Sequence, residues 1–196
     1  MAKIKTGWKI PPLCLPVALL GANVRGKQNF FTIAWFSMLQ EDPPLVAASM
    51  GKTYYTHRGI NENRTFSLNI PSTHMAGIVD YCGLHSGSKV DKSRLFDVFY
   101  GELKTAPMIN ECALTIECNL VDSIELKTMD LIIGKIAQVY CEEECLSGNK
   151  PDYKKTDPLL FFMPEGPYLQ TGKIVARAFS AGRDFKRLKR TTRRRK

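Results

Sequence analysis

The chain has 196 residues, 44% of them hydrophobic, and a formal net charge of +9. That is enough for one domain with its own core and no disulfide support, and no apolar run approaches the roughly 20 residues that span a bilayer. The charge belongs to one end: residues 186–196 carry eight Lys and Arg and no acid, and subtracting those eight leaves a body near +1.

Lys3, Lys5 and Lys9 precede the apolar segment Leu13 to Leu20, an order shared with export signals. Pro11, Pro12 and Pro16 interrupt that run, which reads better as a buried first strand of a cytoplasmic protein. The strand is expected over Leu13 to Val24. From Gly21 to Trp35 the chain reads GANVRGKQNFFTIAW, which opens like a phosphate-binding loop with Gly21, Gly26 and Lys27. Such a loop needs Ser or Thr next and then a helix. Position 28 is Gln, and the residues after it are aromatic and β-branched, so nucleoside-triphosphate chemistry is excluded. A hairpin is expected instead, its turn at Arg25-Gly26-Lys27-Gln28 and its second strand over Phe30 to Phe36.

A third strand is expected over Pro44 to Met50, after the turn around Glu41-Asp42-Pro43-Pro44. Thr53 to Asn63 reads as a helix with Thr53 as N-cap. Thr65 to Ile70 alternates like a strand, Thr73 to Leu84 reads as a second helix, and Asp91-Lys92-Ser93 as a turn. Cys112 to Val121 sets Ala113, Thr115, Glu117 and Asn119 against Leu114, Ile116, Cys118 and Leu120, the pattern of a half-buried strand. Leu131 to Tyr140 does the same. Leu159 to Met163 and a last strand over Lys173 to Phe179 complete the set. Six or more strands with two or three short helices, and no strand–helix repeat, argue for a mainly β, antiparallel barrel rather than a doubly wound sheet. One domain is expected over residues 1–182, followed by a basic, disordered tail over 183–196.

Six cysteines are spread along the chain, and only Cys141-Glu-Glu-Glu-Cys145 forms a close pair. A zinc site needs a second pair or a His pair at matching spacing. They read as reduced thiols, and the glutamates between them as a solvated turn. His57, His74 and His85 occupy no nucleophile-elbow or metal-ligand pattern, and no dinucleotide fingerprint is present.

What remains is a set of hydroxyls, amides and one lysine at element ends. Ser49 ends a strand, Thr56 sits in the first turn of a helix and Lys92 follows a glycine-rich stretch. These groups suit a phosphate. Taken singly they are also ordinary capping, turn and surface residues, and Trp35 among phenylalanines reads equally as core.

The ordered blocks decide between these readings. Gly21-Ala22 with Asn29-Phe-Phe-Thr-Ile-Ala-Trp-Phe-Ser37 is followed by Pro44-Leu-Val-Ala-Ala-Ser49 and Tyr55-Thr56 with Ile60-Asn-Glu-Asn63. Next come Phe66-Ser-Leu-Asn-Ile-Pro71, Val79-Asp-Tyr-Cys-Gly-Leu84, Ser86-Gly87 and Asp91-Lys-Ser93, then Ala106-Pro107 and Glu111-Cys-Ala-Leu-Thr115. Over about residues 10 to 180 the chain resembles the flavin reductase-like, FMN-binding split-barrel proteins, and their flavoredoxin branch above all. The resemblance implies a homodimer of antiparallel Greek-key split barrels, each holding one FMN. Asn29, Thr32, Ala34 and Trp35 would line the flavin. Ser49, Thr56, Ser86 and Lys92 would serve its phosphate, and Phe162 would pack near the ring. No residue is expected to act as a catalyst of its own, because the flavin carries the redox chemistry. The implied partner is NAD(P)H or a ferredoxin-like carrier. A split barrel holding another planar ligand such as haem, or a nucleic-acid protein acting through the basic tail, is the alternative.

Overall fold

The computed structural model describes residues 2–7, 9–164 and 166–183. The basic stretch from Lys186 to Lys196 lies outside the described residues.

The first half supplies β1 (Cys14–Pro16), β2 (Ala18–Val24), β3 (Lys27–Ile33), β4 (Phe36–Gln40), β5 (Leu45–Gly51), helix α1 (Tyr55–Asn63) and β6 (Thr65–Ile70). A 3-10 turn at Thr73–Met75 leads into α2 (Ala76–Leu84). The short pair β7 (Val98–Phe99) and β8 (Met108–Ile109) precedes the long hairpin of β9 (Leu114–Glu125) and β10 (Met129–Cys141). Then come β11 (Leu146–Ser147), β12 (Lys150–Pro151), α3 (Tyr153–Thr156), β13 (Leu160–Phe162) and β14 (Tyr168–Leu169).

Seven strands form one sheet in the order β3-β2-β6-β9-β10-β5-β4, and every recorded pairing is antiparallel. Its two edge strands, β3 and β4, are separated in the chain by Ala34 and Trp35 alone. Two residues span only about 7 Å, so the sheet must curl until its edges meet. The result is a barrel with a split, and Ala34-Trp35 crosses that split. The single strand expected over Phe30 to Phe36 is therefore two strands in different places.

The apolar run behind Gly21 is explained by burial on both faces. Leu20 and Ala22 of β2 face a cluster inside the barrel with Met50, Phe66 and Ile132. Val17 and Leu19 face a second cluster, with Phe30, Val79 and Ile109, which lies under α2. Arg25 and Gly26 both have positive φ (51° and 77°), which makes a two-residue hairpin turn and returns Lys27 and Gln28 to the strand. Helix α1 packs so closely on the end of β2 that a β-carbon at Gly59 would fall on the Asn23 carbonyl.

Three further expectations change. The strand from Leu13 to Val24 is broken at Val17 into β1 and β2. Thr53 is not the cap of α1: Tyr54 holds that position and offers no side-chain hydrogen bond. No strand forms over Lys173 to Phe179, whose residues are exposed and join no ladder. The other expected elements stand within a few residues, with β9 and β10 running longer than their alternation predicted. Among the described residues no helix is long and apolar enough to cross a membrane.

Candidate functional site

A cleft of about 330 Å3 opens between α1 and the end of α2. One wall is the start of α1. The chain leaves β5 at Gly51, turns through a hydrogen bond from Tyr54 N to Gly51 O (3.0 Å), and enters the helix at Tyr55. The first N–H groups of a helix lack the usual partner one turn back; His57 N donates to the Tyr54 carbonyl (3.0 Å), and the N-cap Tyr54 side chain caps none of them. The opposite wall runs from Cys82 through Gly87 and includes His85, whose ring stacks on Tyr81 with centroids 4.2 Å apart. Phe31 of β3 reaches the cleft and meets Tyr54 edge-on at 4.9 Å.

Lys92 also lines the cleft although it is only 3% exposed. Its Nζ donates to the carbonyls of Phe30 (3.0 Å) and Cys82 (2.7 Å), which hold the ammonium in place. Burial lowers its pKa from the ordinary lysine value, with the nearby Cys82 thiol a smaller opposing influence. Burial likewise raises the Cys82 thiol. An ammonium has three protons, so one is left for a ligand. Asn29 Nδ2 donates to Thr56 Oγ1 at 2.7 Å, fixing the hydroxyl at the helix start. Gly87 packs where a side chain would collide with the Asn29 amide and the Tyr55 ring.

Among the described residues no carboxylate lines this cleft; its polar groups include the hydroxyls of Thr53, Thr56 and Ser86, the Lys92 ammonium and His85. A donor-rich site beside an uncapped helix start, with aromatic groups at one side, suits an anion joined to a flat apolar body.

The sequence model of the flavin reductase-like domain matches residues 12–165. The chain belongs to the flavin reductase-like family. It is similar to the flavoredoxin of Methanosarcina acetivorans at 46% identity and a TM-score of 0.92, over 94% of this chain and all of that one. Flavoredoxin of Desulfovibrio vulgaris (Miyazaki F) follows at 33% identity and 0.87, over 93% of this chain and 100% of that one. An uncharacterized protein of Archaeoglobus fulgidus is 30% identical over 128 residues, 64% of this chain and 72% of its own. Together with the flavoredoxin likenesses this puts the chain on the flavoredoxin branch of a mainly β, antiparallel split-barrel family.

Against the group that this family is named for, the donor set fits. Hydroxyls and one ammonium can share a phosphate, and Phe31 and Tyr54 provide apolar contact for a ring. Of the expected site residues, the structure gathers Thr56, Ser86 and Lys92 around the cleft, with Asn29 bonded to Thr56. Thr32 stands behind the wall, its hydroxyl donated to the Val79 carbonyl and its β-carbon toward Gly83.

The remaining four lie outside the cleft lining, at the split. Trp35 is 45% exposed and donates from Nε1 to Met163 Sδ at 3.0 Å, so it is not core. Ser49 N donates to the Trp35 carbonyl at 2.8 Å, Ala34 precedes it in the crossing, and half-buried Phe162 adjoins Met163. Phe31, Thr53, Tyr54 and Tyr55 line the cleft but were not singled out from sequence. The one signal for them is Tyr54-Tyr55 placed just ahead of Thr56, where a helix start faces outward.

Proposed function

We propose that this protein is an FMN-binding redox protein, an oxidoreductase of the flavin reductase type that retains its FMN. The cleft, free of acids among the described residues, carries this reading: Thr56 of α1 meets Ser86 and Lys92 from the segment after α2 there. In the proposal these three hold the ribityl phosphate, and Asn29 keeps the Thr56 hydroxyl turned toward it. Phe31 and Tyr54 flank the ring, and the crossing Ala34-Trp35 with Ser49 and Phe162 shields its far end from water. The bound flavin supplies electron uptake and release; the chain binds it, orients it and limits solvent access. We infer that the donor is NAD(P)H or a ferredoxin-like carrier. Its six free cysteines suit the reducing cytoplasm. Exposed Met38 and Leu39 on β4, with Trp35 just ahead of it, offer an apolar edge for a second copy, which supports a homodimer.

Purified protein loaded with flavin is expected to absorb in two broad visible bands, and heat should release FMN on chromatography. A sharp Soret band, or no uptake of flavin, overturns the proposal.

Trp35 provides a local check. At 45% exposure it adds little to the core, so Trp35→Leu is expected to leave the melting temperature within about 3 °C, a change of roughly 1 kcal/mol or less for a chain of this size. An indole beside a flavin quenches its emission, so the variant should bind FMN more weakly and with brighter bound fluorescence. Unchanged affinity and brightness would remove Trp35 from the site.

The basic tail is proposed to be separate from the site. Removing residues 186–196 takes away eight charges. Flavin binding should persist, while any salt-sensitive binding to DNA should vanish. Loss of FMN on truncation would make the tail part of the site.

A further inference from the structure

After β14 the chain runs extended from Thr171 to Arg177 without joining a ladder. A turn follows, in which Ser180 N and Ala181 N donate to the Arg177 carbonyl (3.4 and 3.0 Å). The base of this arm is held in place. Gln170 Nε2 donates to Asp157 Oδ1 at 2.9 Å, and Tyr168 pairs with Phe161 in the β13–β14 ladder. Beyond that base Ile174 is 62% exposed, Val175 98% and Phe179 97%. Burying such side chains is favourable in proportion to their area, yet one protomer leaves all three in water. Successive residues of an extended chain face opposite sides, so Ile174 and Val175 put an apolar group on each side of the arm.

Strand β4 offers what the arm lacks. It ends the seven-strand sheet and pairs on one side only, with β5. Its other side has no ladder partner among the described residues. An open edge is a template for another strand unless lysine, proline or a cover blocks it. Strand β4 reads Phe-Ser-Met-Leu-Gln, with neither lysine nor proline, and its Met38 and Leu39 are exposed. The charges match as well. The edge continues into Glu41 and Asp42, with no base from Phe36 to Asp42, whereas the arm carries Lys173 and Arg177 and no acid. Among the described residues none of these four charges has an ion-pair partner.

We propose that residues 171–177 of each copy add as a strand to the free edge of β4 in a second copy, the exchange being reciprocal. A two-fold axis makes both contacts at once, and backbone hydrogen bonds supply the pairing. Ile174 and Val175 cover Met38 and Leu39, while Lys173 and Arg177 meet Glu41 and Asp42. This rests on the homodimer reading above and deepens it, by naming the element of the second copy that covers the apolar edge.

The test is the dimer dissociation constant in low salt, by light scattering and sedimentation. It compares the full chain, chains ending at Arg183 and at Gln170, and charge reversals. The full chain and the Arg183 chain are expected to dimerise alike, which sets the basic tail aside. Ending at Gln170 should weaken the dimer by at least about a hundredfold. Glu41→Lys with Asp42→Lys should weaken it at least about tenfold, as should Lys173→Glu with Arg177→Glu, because like charges then face each other. All four changes together should return it to within about threefold of wild type, a recovery that misfolding does not produce. A dimer that survives the Gln170 ending or either reversal overturns the inference and leaves the homodimer reading standing. So does a fourfold variant that fails to recover. A monomeric full chain removes both.

Discussion

Replacing Lys92 by methionine is expected to weaken FMN binding ten- to a hundredfold while leaving riboflavin binding within about twofold. The two ligands differ only by a phosphate, which carries about −1.5 to −2 charge near neutral pH. A charge-assisted hydrogen bond to it is worth about 1.5–3 kcal/mol, which converts to that range of affinity. Methionine keeps most of the buried volume but leaves the Phe30 and Cys82 carbonyls without their shared donor. Some loss of stability will therefore accompany the change, and the riboflavin comparison separates it from the phosphate effect. Equal weakening of both ligands would make Lys92 a structural residue only.

The same lysine sets a pH dependence. Burial lowers its pKa in the folded, ligand-free protein, so between that lowered value and the ordinary 10.5 the folded state holds fewer protons than the unfolded. The Lys92 contribution to the stability of the free protein then rises with pH across this window. The buried Cys82, Cys112 and Cys118 thiols, raised by burial, act in the opposite direction above their ordinary 9. FMN affinity falls as pH rises, because the phosphate needs the charged ammonium. Riboflavin affinity should stay flat. Melting curves of wild type against Lys92→Met, and titrations, from pH 7 to 10.5 would read both trends, and an FMN affinity that is also flat would sink the assignment.

Glu117→Ala should cost about 3–5 kcal/mol and lower the melting temperature by roughly 10 °C. Glu117 lies on β9 with no exposed surface, yet it is a carboxylate. Oε1 accepts from Glu102 N (3.0 Å) and the Tyr140 hydroxyl (2.8 Å), and Oε2 from Leu103 N (2.8 Å). One side chain thereby ties the 101–103 loop to β9 and β10, and burial together with the Glu117 contact raises the Tyr140 pKa. Alanine would leave three donors without their acceptor. Glu117→Gln keeps the shape but turns one acceptor into a donor, so its loss should be smaller. Flavin affinity of folded Glu117→Ala should match wild type, since Glu117 does not line the cleft. A urea midpoint showing under about 1 kcal/mol of loss would mean that water replaces these bonds.

Glu117 also marks where reading by pattern stops. Its alternation with Ile116 and Cys118 reports the strand correctly but not that Thr115 and Glu117 are buried as well. Period-two spacing records which residues share a face, and it does not say whether a distant loop covers that face. Lys173 to Phe179 has strand composition, yet its residues are exposed and join no ladder. Residues Asn29 to Ile33 and Phe36 are continuous in β-propensity, and the break at Ala34-Trp35 arises only because the sheet closes on itself.

By itself the sequence determined what local chemistry governs: a hairpin turn beginning at Arg25-Gly26, strand β6, the two main helices and the mainly β class. Its ordered blocks also carried the family and four of the cleft's groups, Asn29, Thr56, Ser86 and Lys92. Tertiary structure alone decided that Lys92 is buried against two carbonyls rather than solvated. It also decided that Phe31 and Tyr54 join the cleft, and that Trp35, Ser49 and Phe162 meet at the split instead. The reason is long-range: the cleft is made by contacts between segments some 30 to 60 residues apart, and such contacts leave no period in the chain.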